Sequence, residues 1–143
     1  MIKPINVNQL IPHQHPIRMV DTIVDYDDST KQATLEVVIN DDSPFVDSNG
    51  EIAPETFLEI IAQSTAAQHG FNLQRSGKGD EKGFLVGVRD FAIEGKAFAG
   101  DKLTISVECG TEIESVSAVK GEIFNAGRKI ASAGITVWHG KQT

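Results

Sequence analysis

Apolar and polar residues alternate through most of the second half of the chain. Between Lys102 and Cys109, and again between Ala131 and Val137, every second residue is apolar. A period of two is typical of a β-strand that buries one face. Residues 84–93 have the composition of a strand, and Gly87 in the middle predicts a bulge or a close backbone approach. With a hairpin turn predicted over Asn125–Arg128, this half of the chain predicts four strands.

A different period marks one long helix before these strands. From Pro54 to about Leu73 the apolar residues recur every three or four positions, and proline suits a first helical position. Much of the circumference is apolar, so the helix should be largely buried. Gly70 weakens a helix interior by roughly 1 kcal/mol and could end the helix early. Two strands, Ile17–Asp25 and Gln32–Ile39, precede it, and this order predicts an α+β fold with the helix on an antiparallel sheet.

The composition narrows what the 143 residues can do. Thirteen Lys and Arg against twenty Asp and Glu give a net charge of −7, which argues against a general nucleic-acid-binding protein. The single cysteine, Cys109, excludes an internal disulfide framework and a zinc site built from several cysteines. No apolar run approaches the roughly 20 residues that span a bilayer. We expect one cytoplasmic domain over residues 1–143, with no membrane span, metal or cofactor.

Several segments, in order along the chain, resemble the β-hydroxyacyl-acyl carrier protein dehydratases and a divergent branch of them. They are Leu10–Pro16 (Leu-Ile-Pro-His-Gln-His-Pro) with Met19-Val20-Asp21, Glu59–Gln63 (Glu-Ile-Ile-Ala-Gln), Phe84–Asp90 and Gly100–Leu103. The resemblance implies the hot-dog fold, in which a curved antiparallel sheet wraps one long central helix. It also implies a homodimer with a site shared by both protomers, which could extend to a higher oligomer or be replaced by a heterodimer. The implied substrate is a 3-hydroxyacyl thioester of fatty-acid-like biosynthesis, carried on acyl carrier protein or coenzyme A.

The resemblance also assigns candidate catalytic residues, and one expected residue is missing. Glu59 matches the helix carboxylate of the family, and Gln63, one turn later on the same face, can hydrogen-bond it or the substrate. The family carries a catalytic histidine before the helix, whereas residues 42–47 here are Asp-Ser-Pro-Phe-Val-Asp. Ser43 is nearest to the expected imidazole. His13 could fill that role only if the fold brings it across the interface.

Two further groups of candidates concern binding. In the family a glycine amide at the helix start faces the thioester carbonyl, and Glu55 stands at that position here. The predicted substrate-binding residues are Phe45, Pro54, Glu55, Val86 and Gly87. Because acyl carrier proteins and this chain are both acidic, docking would need a local basic patch. No basic residue lies between Lys31 and Arg75, and the densest basic group follows this acidic stretch. We therefore predict Arg75, Lys78 and Lys82 as the carrier-docking residues.

Three interpretations of the function stay open. The first is a dehydratase-like lyase, with weak or absent activity on short 3-hydroxyacyl thioesters because the histidine is missing. The second is a hot-dog thioesterase that uses the carboxylate of Glu59 or Asp47, since this kind of hydrolysis needs no histidine. The third is a non-catalytic subunit that binds acyl carriers or completes a heterodimer with a histidine-bearing partner.

Overall fold

The described residues form one long helix and one antiparallel sheet of seven strands. The computed structural model describes residues 4–7, 10–11, 19–77 and 81–141. The elements are β1 (Ile5–Asn6), β2 (Thr22–Asp27), β3 (Gln32–Val38), α1 (Thr56–Ser76), β4 (Glu81–Ile93), β5 (Lys102–Ile113), β6 (Val116–Asn125) and β7 (Arg128–Lys141). The strands lie in the order β1-β2-β3-β5-β6-β7-β4. The predicted α+β class, with one long helix on an antiparallel sheet, is confirmed.

The helix lies on the sheet face that the alternating residues bury. Leu35, Ile105, Ile123 and Ile135, on four different strands, are all fully buried on this inner face. Gly121 of β6 has no side chain, and a Cβ there would collide with Cγ2 of Ile61. The helix therefore approaches the centre of the sheet closely only because β6 carries glycine at this point.

The helix boundaries differ from the prediction at both ends. Residues 54–55 form a turn, and α1 begins at Thr56. At the other end α1 continues to Ser76, three residues beyond the predicted Leu73, and Gly77, with a φ of 75°, supplies the left-handed C-cap. Gly70 does not end the helix. The carbonyl oxygen of Leu10 would lie 2.9 Å from a Cβ at this position, so Gly70 makes room for the N-terminal segment.

The strands follow the predicted order, but their bounds differ: β2 begins at Thr22 and β3 ends at Val38, so both are shorter than predicted, whereas β4 is longer and β1 is additional. β4 begins at Glu81, and its pairing with β7 shifts register between Leu85 and Gly87, which confirms the irregularity expected at this glycine. A second shift lies between Arg89 and Ala92. The predicted hairpin turn is confirmed, since Ala126 and Gly127 both have positive φ, as a two-residue hairpin turn of type I′ requires. β1 was not predicted because two residues carry no measurable period.

β4 is an edge strand that presents apolar side chains to solvent. It pairs with β7 on one side and with no other described strand. Leu85, Val86, Val88 and Ile93 are between 41% and 60% exposed. A long apolar edge is a template for pairing with another chain.

In the described part of the chain, no helix has the length and apolar character needed to cross a membrane.

Candidate functional site

The side chain of Gln63 joins the backbone of the N-terminal segment to the carboxylate of Glu59. Gln63 is 1% exposed. Its Oε1 accepts a hydrogen bond of 2.6 Å from the backbone N–H of Met19, and its Nε2 donates one of 2.9 Å to Oε1 of Glu59. The bond from Met19 fixes the amide orientation, because only the oxygen can accept it. Gln63 must therefore present a donor to Glu59, as the i, i+4 spacing predicted.

Two described residues from the first part of the chain, Leu10 and Met19, contact the helix face that carries Glu59 and Gln63. Gly70 lies seven residues beyond Gln63 on that face, and Leu10 lies against it. The segment is anchored by four buried apolar residues, namely Val7, Ile11, Met19 and Val20. Glu59 itself is only partly buried. Buried described residues from the first part of the chain therefore lie close to Glu59, which keeps part of its own surface accessible.

The start of α1 offers one backbone donor. The N–H groups of Thr56 and Phe57 are bonded to the carbonyl oxygens of Ala53 and Pro54, at 2.9 Å and 3.1 Å. Among the residues that the structure describes, none accepts a hydrogen bond from the N–H of Glu55. An amide at the positive end of a helix is suited to stabilise a developing oxyanion. Glu55 can therefore supply the amide that the family takes from glycine.

The loop before the helix holds Ser43 and Phe45 in a tight turn. Oγ of Ser43 accepts a bond of 3.3 Å from the N–H of Phe45, and the carbonyl oxygen of Ser43 accepts one from Val46. The N–H of Ala53 donates to the carbonyl oxygen of Phe45 over 3.0 Å. Phe45 and the helix start are thus brought together. The Ser43 hydroxyl bonds within its own turn, and no hydrogen bond among the described residues joins it to Glu59.

Asp47 is engaged in the turn that follows. Its Oδ1 accepts bonds from the N–H groups of Asn49 and Glu51, at 2.8 Å and 3.0 Å. The N–H of Asp47 donates to the carbonyl oxygen of Glu51, which closes the turn from both sides. The carboxylate of Glu51 faces Nζ of Lys96 over 3.9 Å. Both acidic side chains therefore have a structural role in this loop.

The structure does not bring the other predicted residues together at one place. Pro54 lies in the turn that leads into α1, whereas Val86 and Gly87 lie on the edge strand β4. His13 and Lys78 lie outside the described residues, and the backbone of Lys82 is described within β4 without its side chain. Among the described residues, no group of three His, Cys, Asp or Glu side chains could hold a metal ion.

Arg75, the remaining carrier-docking candidate, belongs to a cluster that the sequence did not predict. Its guanidinium pairs with the carboxylate of Asp28 over 2.7 Å and stacks on the rings of Tyr26 and Phe71. The Tyr26 hydroxyl donates to Oδ1 of Asn72 over 3.1 Å. Burial, reinforced by the charge of Asp28, raises the pKa of Tyr26 above its ordinary 10.0. This cluster fixes the end of α1 to the β2–β3 hairpin.

Comparisons with solved structures identify the fold. The dehydratase heterocomplex ApeI:P from Xenorhabdus doucetiae aligns with a TM-score of 0.84 and 20% identity over 96% of this chain and 93% of that one. A hypothetical thioesterase with coenzyme A from Streptococcus pneumoniae TIGR4 aligns with a TM-score of 0.65 and 15% identity, over 84% and 85% of the two chains. These similarities confirm the predicted hot-dog fold.

Comparisons of sequence identify the family. The sequence model of the ApeP-like family, described as ApeP dehydratase, matches residues 5–143. The 3-hydroxyacyl-[acyl-carrier-protein] dehydratase FabZ of Colwellia psychrerythraea is 31% identical over 139 residues, covering 92% of this chain and 91% of the relative. FabZ of Xylella fastidiosa (strain M23) is 23% identical over 135 residues, covering 92% and 84%. The chain therefore belongs to the ApeP-like dehydratase family.

Proposed function

We propose that the chain binds 3-hydroxyacyl thioesters and contributes Glu59 to their dehydration. The observation that carries the proposal is the buried amide of Gln63, which is fixed by Met19 and donates to Glu59. A buried donor with a fixed orientation holds the carboxylate of Glu59 in one position. Proton transfer to or from a substrate depends on such positioning. Membership of the dehydratase family supports the substrate class.

This chain has some of the groups that dehydration needs, but it lacks a histidine at the position where the family carries its catalytic one. Dehydration moves the α-proton to a base, forms the carbon–carbon double bond and releases the hydroxyl as water once an acid has protonated it. Glu59 serves one of these proton transfers. The N–H of Glu55 polarises the thioester carbonyl. The second proton-transfer group must come from elsewhere, because residues 42–47 contain no histidine.

A second subunit is the simplest source of that group. The exposed apolar edge of β4 supports pairing with another hot-dog subunit. That subunit is a second copy of this chain or a histidine-bearing relative. A similar fold is described as a dehydratase heterocomplex, which supports the latter arrangement. The acyl group is carried on acyl carrier protein or coenzyme A.

A non-catalytic acyl-binding subunit is the second candidate. The bond from Phe45 to Ser43 favours it, since the residue nearest the expected imidazole serves its own turn. Hydrolysis at Asp47 is less well supported, because two backbone N–H groups already occupy its Oδ1. Hydrolysis at Glu59 remains the alternative enzyme activity.

The test follows two signals with the same substrate. An enoyl thioester is added to the protein, alone and with a histidine-bearing hot-dog partner, and loss of its conjugated absorbance reports hydration, the reverse of dehydration. Release of free thiol reports hydrolysis. We expect hydration that falls at least about 100-fold in Glu59→Gln, since one positioned acid–base group contributes roughly 10²–10⁴-fold. Glu55→Gln is the matched control, because it keeps the backbone N–H and should retain most of the rate.

The other possible results of this assay each favour a different function. Thiol release that is lost in Glu59→Gln would establish a thioesterase. Acyl-carrier binding without either signal, alone and with the partner, would establish the non-catalytic subunit. Full hydration by Glu59→Gln would show that Glu59 is structural and would overturn the proposal.

A further inference from the structure

The outer face of the sheet, opposite α1, carries a row of large apolar side chains. Val116 of β6 is paired with Ile113 of β5 and with Trp138 of β7, so the three residues lie side by side across three strands. They point away from the helix, because Ile135 and Val137, which alternate with them on β7, are buried on the inner face. Ile113 is 68% exposed, and Val116 and Trp138 are each 40% exposed. Neighbouring apolar side chains exposed on an outer face are typical of a contact surface.

A trough of small residues lies beside this apolar row. Two residues further along the same face, Ala118 of β6 is paired with Thr136 of β7, which is also paired with Gly87 of β4. The trough is about 6.6 Å from the apolar row, since a strand rises about 3.3 Å per residue. Beyond the trough the side chain of Arg89 lies across Gly134, where a Cβ would come within 2.8 Å of its Nε. Larger side chains therefore border the trough on both sides.

The apolar row and the trough complement each other in a second copy of the chain. A two-fold axis that runs parallel to the row, midway between row and trough, places the outer faces of two sheets against each other. Val116 of each copy then lies over Ala118 of the other, and Trp138 lies over Thr136. Large side chains thus fill the space that small ones leave, as the packing of one sheet on another requires.

The charges around the trough favour a second copy over a strongly charged partner. Arg89 and Lys120 both lie opposite Gly134 in the register of the sheet. Each has a carboxylate nearby, since Asp90 follows Arg89 in sequence and Glu108 lies opposite Lys120. Both signs are therefore interspersed, and this face has little net charge of its own. Because the whole chain has a net charge of −7, two copies repel each other least through such a face.

We propose that the apolar row and the trough form a contact between two copies of this chain. The contact differs from pairing at the β4 edge, because it stacks two sheets face to face instead of extending one sheet. Both contacts fit in one assembly, and Glu59, on the helix side of the sheet, stays uncovered by this one. The surface spans three or four strands, about 15 Å, and is smaller than the roughly 800 Å² per partner of a standard interface. We therefore expect weak association.

Sedimentation velocity between about 10 μM and about 1 mM protein tests the contact, because weak association appears in this range. We expect the mass of the wild type to double as the concentration rises, whatever its state at the lowest concentration. Trp138 is the single tryptophan of the chain, so its fluorescence emission should move to shorter wavelength in step with the mass. Ile113→Ser/Val116→Ser should weaken the association about tenfold or more.

A substitution in the trough gives the sharper test. Ala118→Phe adds apolar surface to the outer face, so it would strengthen a contact that depends on apolar surface alone. If the apolar row of a second copy fills the trough, the same substitution obstructs it and should weaken the association about tenfold. Thr34→Phe is the matched control, since Thr34 lies on the outer face of β3, between the buried Ala33 and Leu35. It should leave the association unchanged.

Three results would overturn the proposal. The first is a wild type whose mass does not rise with concentration. The second is stronger association of Ala118→Phe, which would show that nothing fills the trough. The third is a doubling of mass that Val88→Glu abolishes and Ile113→Ser/Val116→Ser leaves intact, since it would assign the association to the β4 edge. The outcome is independent of the proposed function, because the outer-face variants should keep the wild-type rate of enoyl-thioester hydration.

Discussion

Gln63 donates a hydrogen bond from Nε2 to Oε1 of Glu59 over 2.9 Å, and its amide cannot turn round. The backbone N–H of Met19, 44 residues away in sequence, occupies the amide oxygen. The orientation of the only proposed proton-transfer group of this chain therefore depends on a segment that precedes the first long strand. The position of Met19 and the orientation of the Gln63 amide are therefore coupled.

Replacing Gln63 should show this dependence. Gln63→Leu leaves the buried N–H of Met19 without its acceptor, so the free energy of unfolding should fall by about 1–3 kcal/mol. Gln63→Glu keeps an acceptor but brings two carboxylates together, so its stability should improve as the pH falls and one becomes protonated. Urea unfolding at two pH values measures both effects. Gln74→Leu, on the exposed part of α1, is the control and should change stability little.

Gly121 should tolerate no side chain. Gly121→Ala inserts a methyl group against Cγ2 of Ile61 and should destabilise the fold by about 1–3 kcal/mol through overpacking. Gly87→Ala is the matched control, because its Cβ would lie 3.7 Å from Cβ of Thr136, an ordinary contact. Thermal unfolding of the two variants compares them directly. An equal melting temperature for both would show that the helix can move away from β6.

Tyr26 should lose its hydroxyl proton at a higher pH than an ordinary tyrosine. Burial and the charge of Asp28 raise its pKa above 10.0, so its contribution to stability is complete below the unfolded pKa. That contribution is lost as the pH rises through the folded pKa, because the unfolded state loses the proton first. Tyr26 is the single tyrosine of the chain, so absorbance of tyrosinate follows it without interference. We expect a higher midpoint in the folded protein than in urea, and a shallower alkaline loss of stability in Tyr26→Phe.

A cysteine at Val88 should report how β4 pairs. The two register shifts of β4 lie on either side of Val88, so antiparallel pairing with a second copy about this residue would align the irregularities. Directly opposite residues in such a pair have Cα atoms about 4.5–5.5 Å apart, within disulfide range. Val88→Cys should then give a covalent homodimer under mild oxidation.

The control for this cross-link is Val38→Cys, on β3, which is 45% exposed and away from the β4 edge. It should remain uncrosslinked, as should the wild type, whose Cys109 lies on β5. A Val88→Cys protein that stays monomeric alone would contradict self-pairing through this residue. A mixed disulfide formed only with a cysteine-bearing hot-dog partner would then identify the heterodimer.

Local periodicity predicted most of the elements, because each long strand and the helix bury one face of their own sequence. The i, i+4 spacing similarly predicted that Gln63 could reach Glu59. Gly70 was misread, since its role is set by Leu10, and a close approach between distant segments leaves no local pattern. Sequence reasoning identified the helix correctly and placed its end too early for this reason.

The contacts that complete the site were beyond prediction from local pattern. The donor of Met19 is a backbone N–H, which every residue except proline possesses, so no residue type marks it. The ion pair of Arg75 and Asp28 joins residues that are 47 positions apart in sequence. Without knowledge of such a distant partner, a segment rich in lysine and arginine is interpreted as a docking patch. The docking prediction at Arg75, Lys78 and Lys82 stays a prediction.

The pairing of β4 with β7 has a consequence for synthesis. β4 leaves the ribosome before β5 and β6, yet its one described neighbour in the sheet is β7, the last of the seven strands. Throughout that interval a 13-residue strand with an apolar edge has no native partner, which is the stage at which nascent chains engage chaperones or aggregate. Translation that stops before Arg128 would therefore lose two strands rather than one, and the quality-control machinery of the cell should recognise such products through β4.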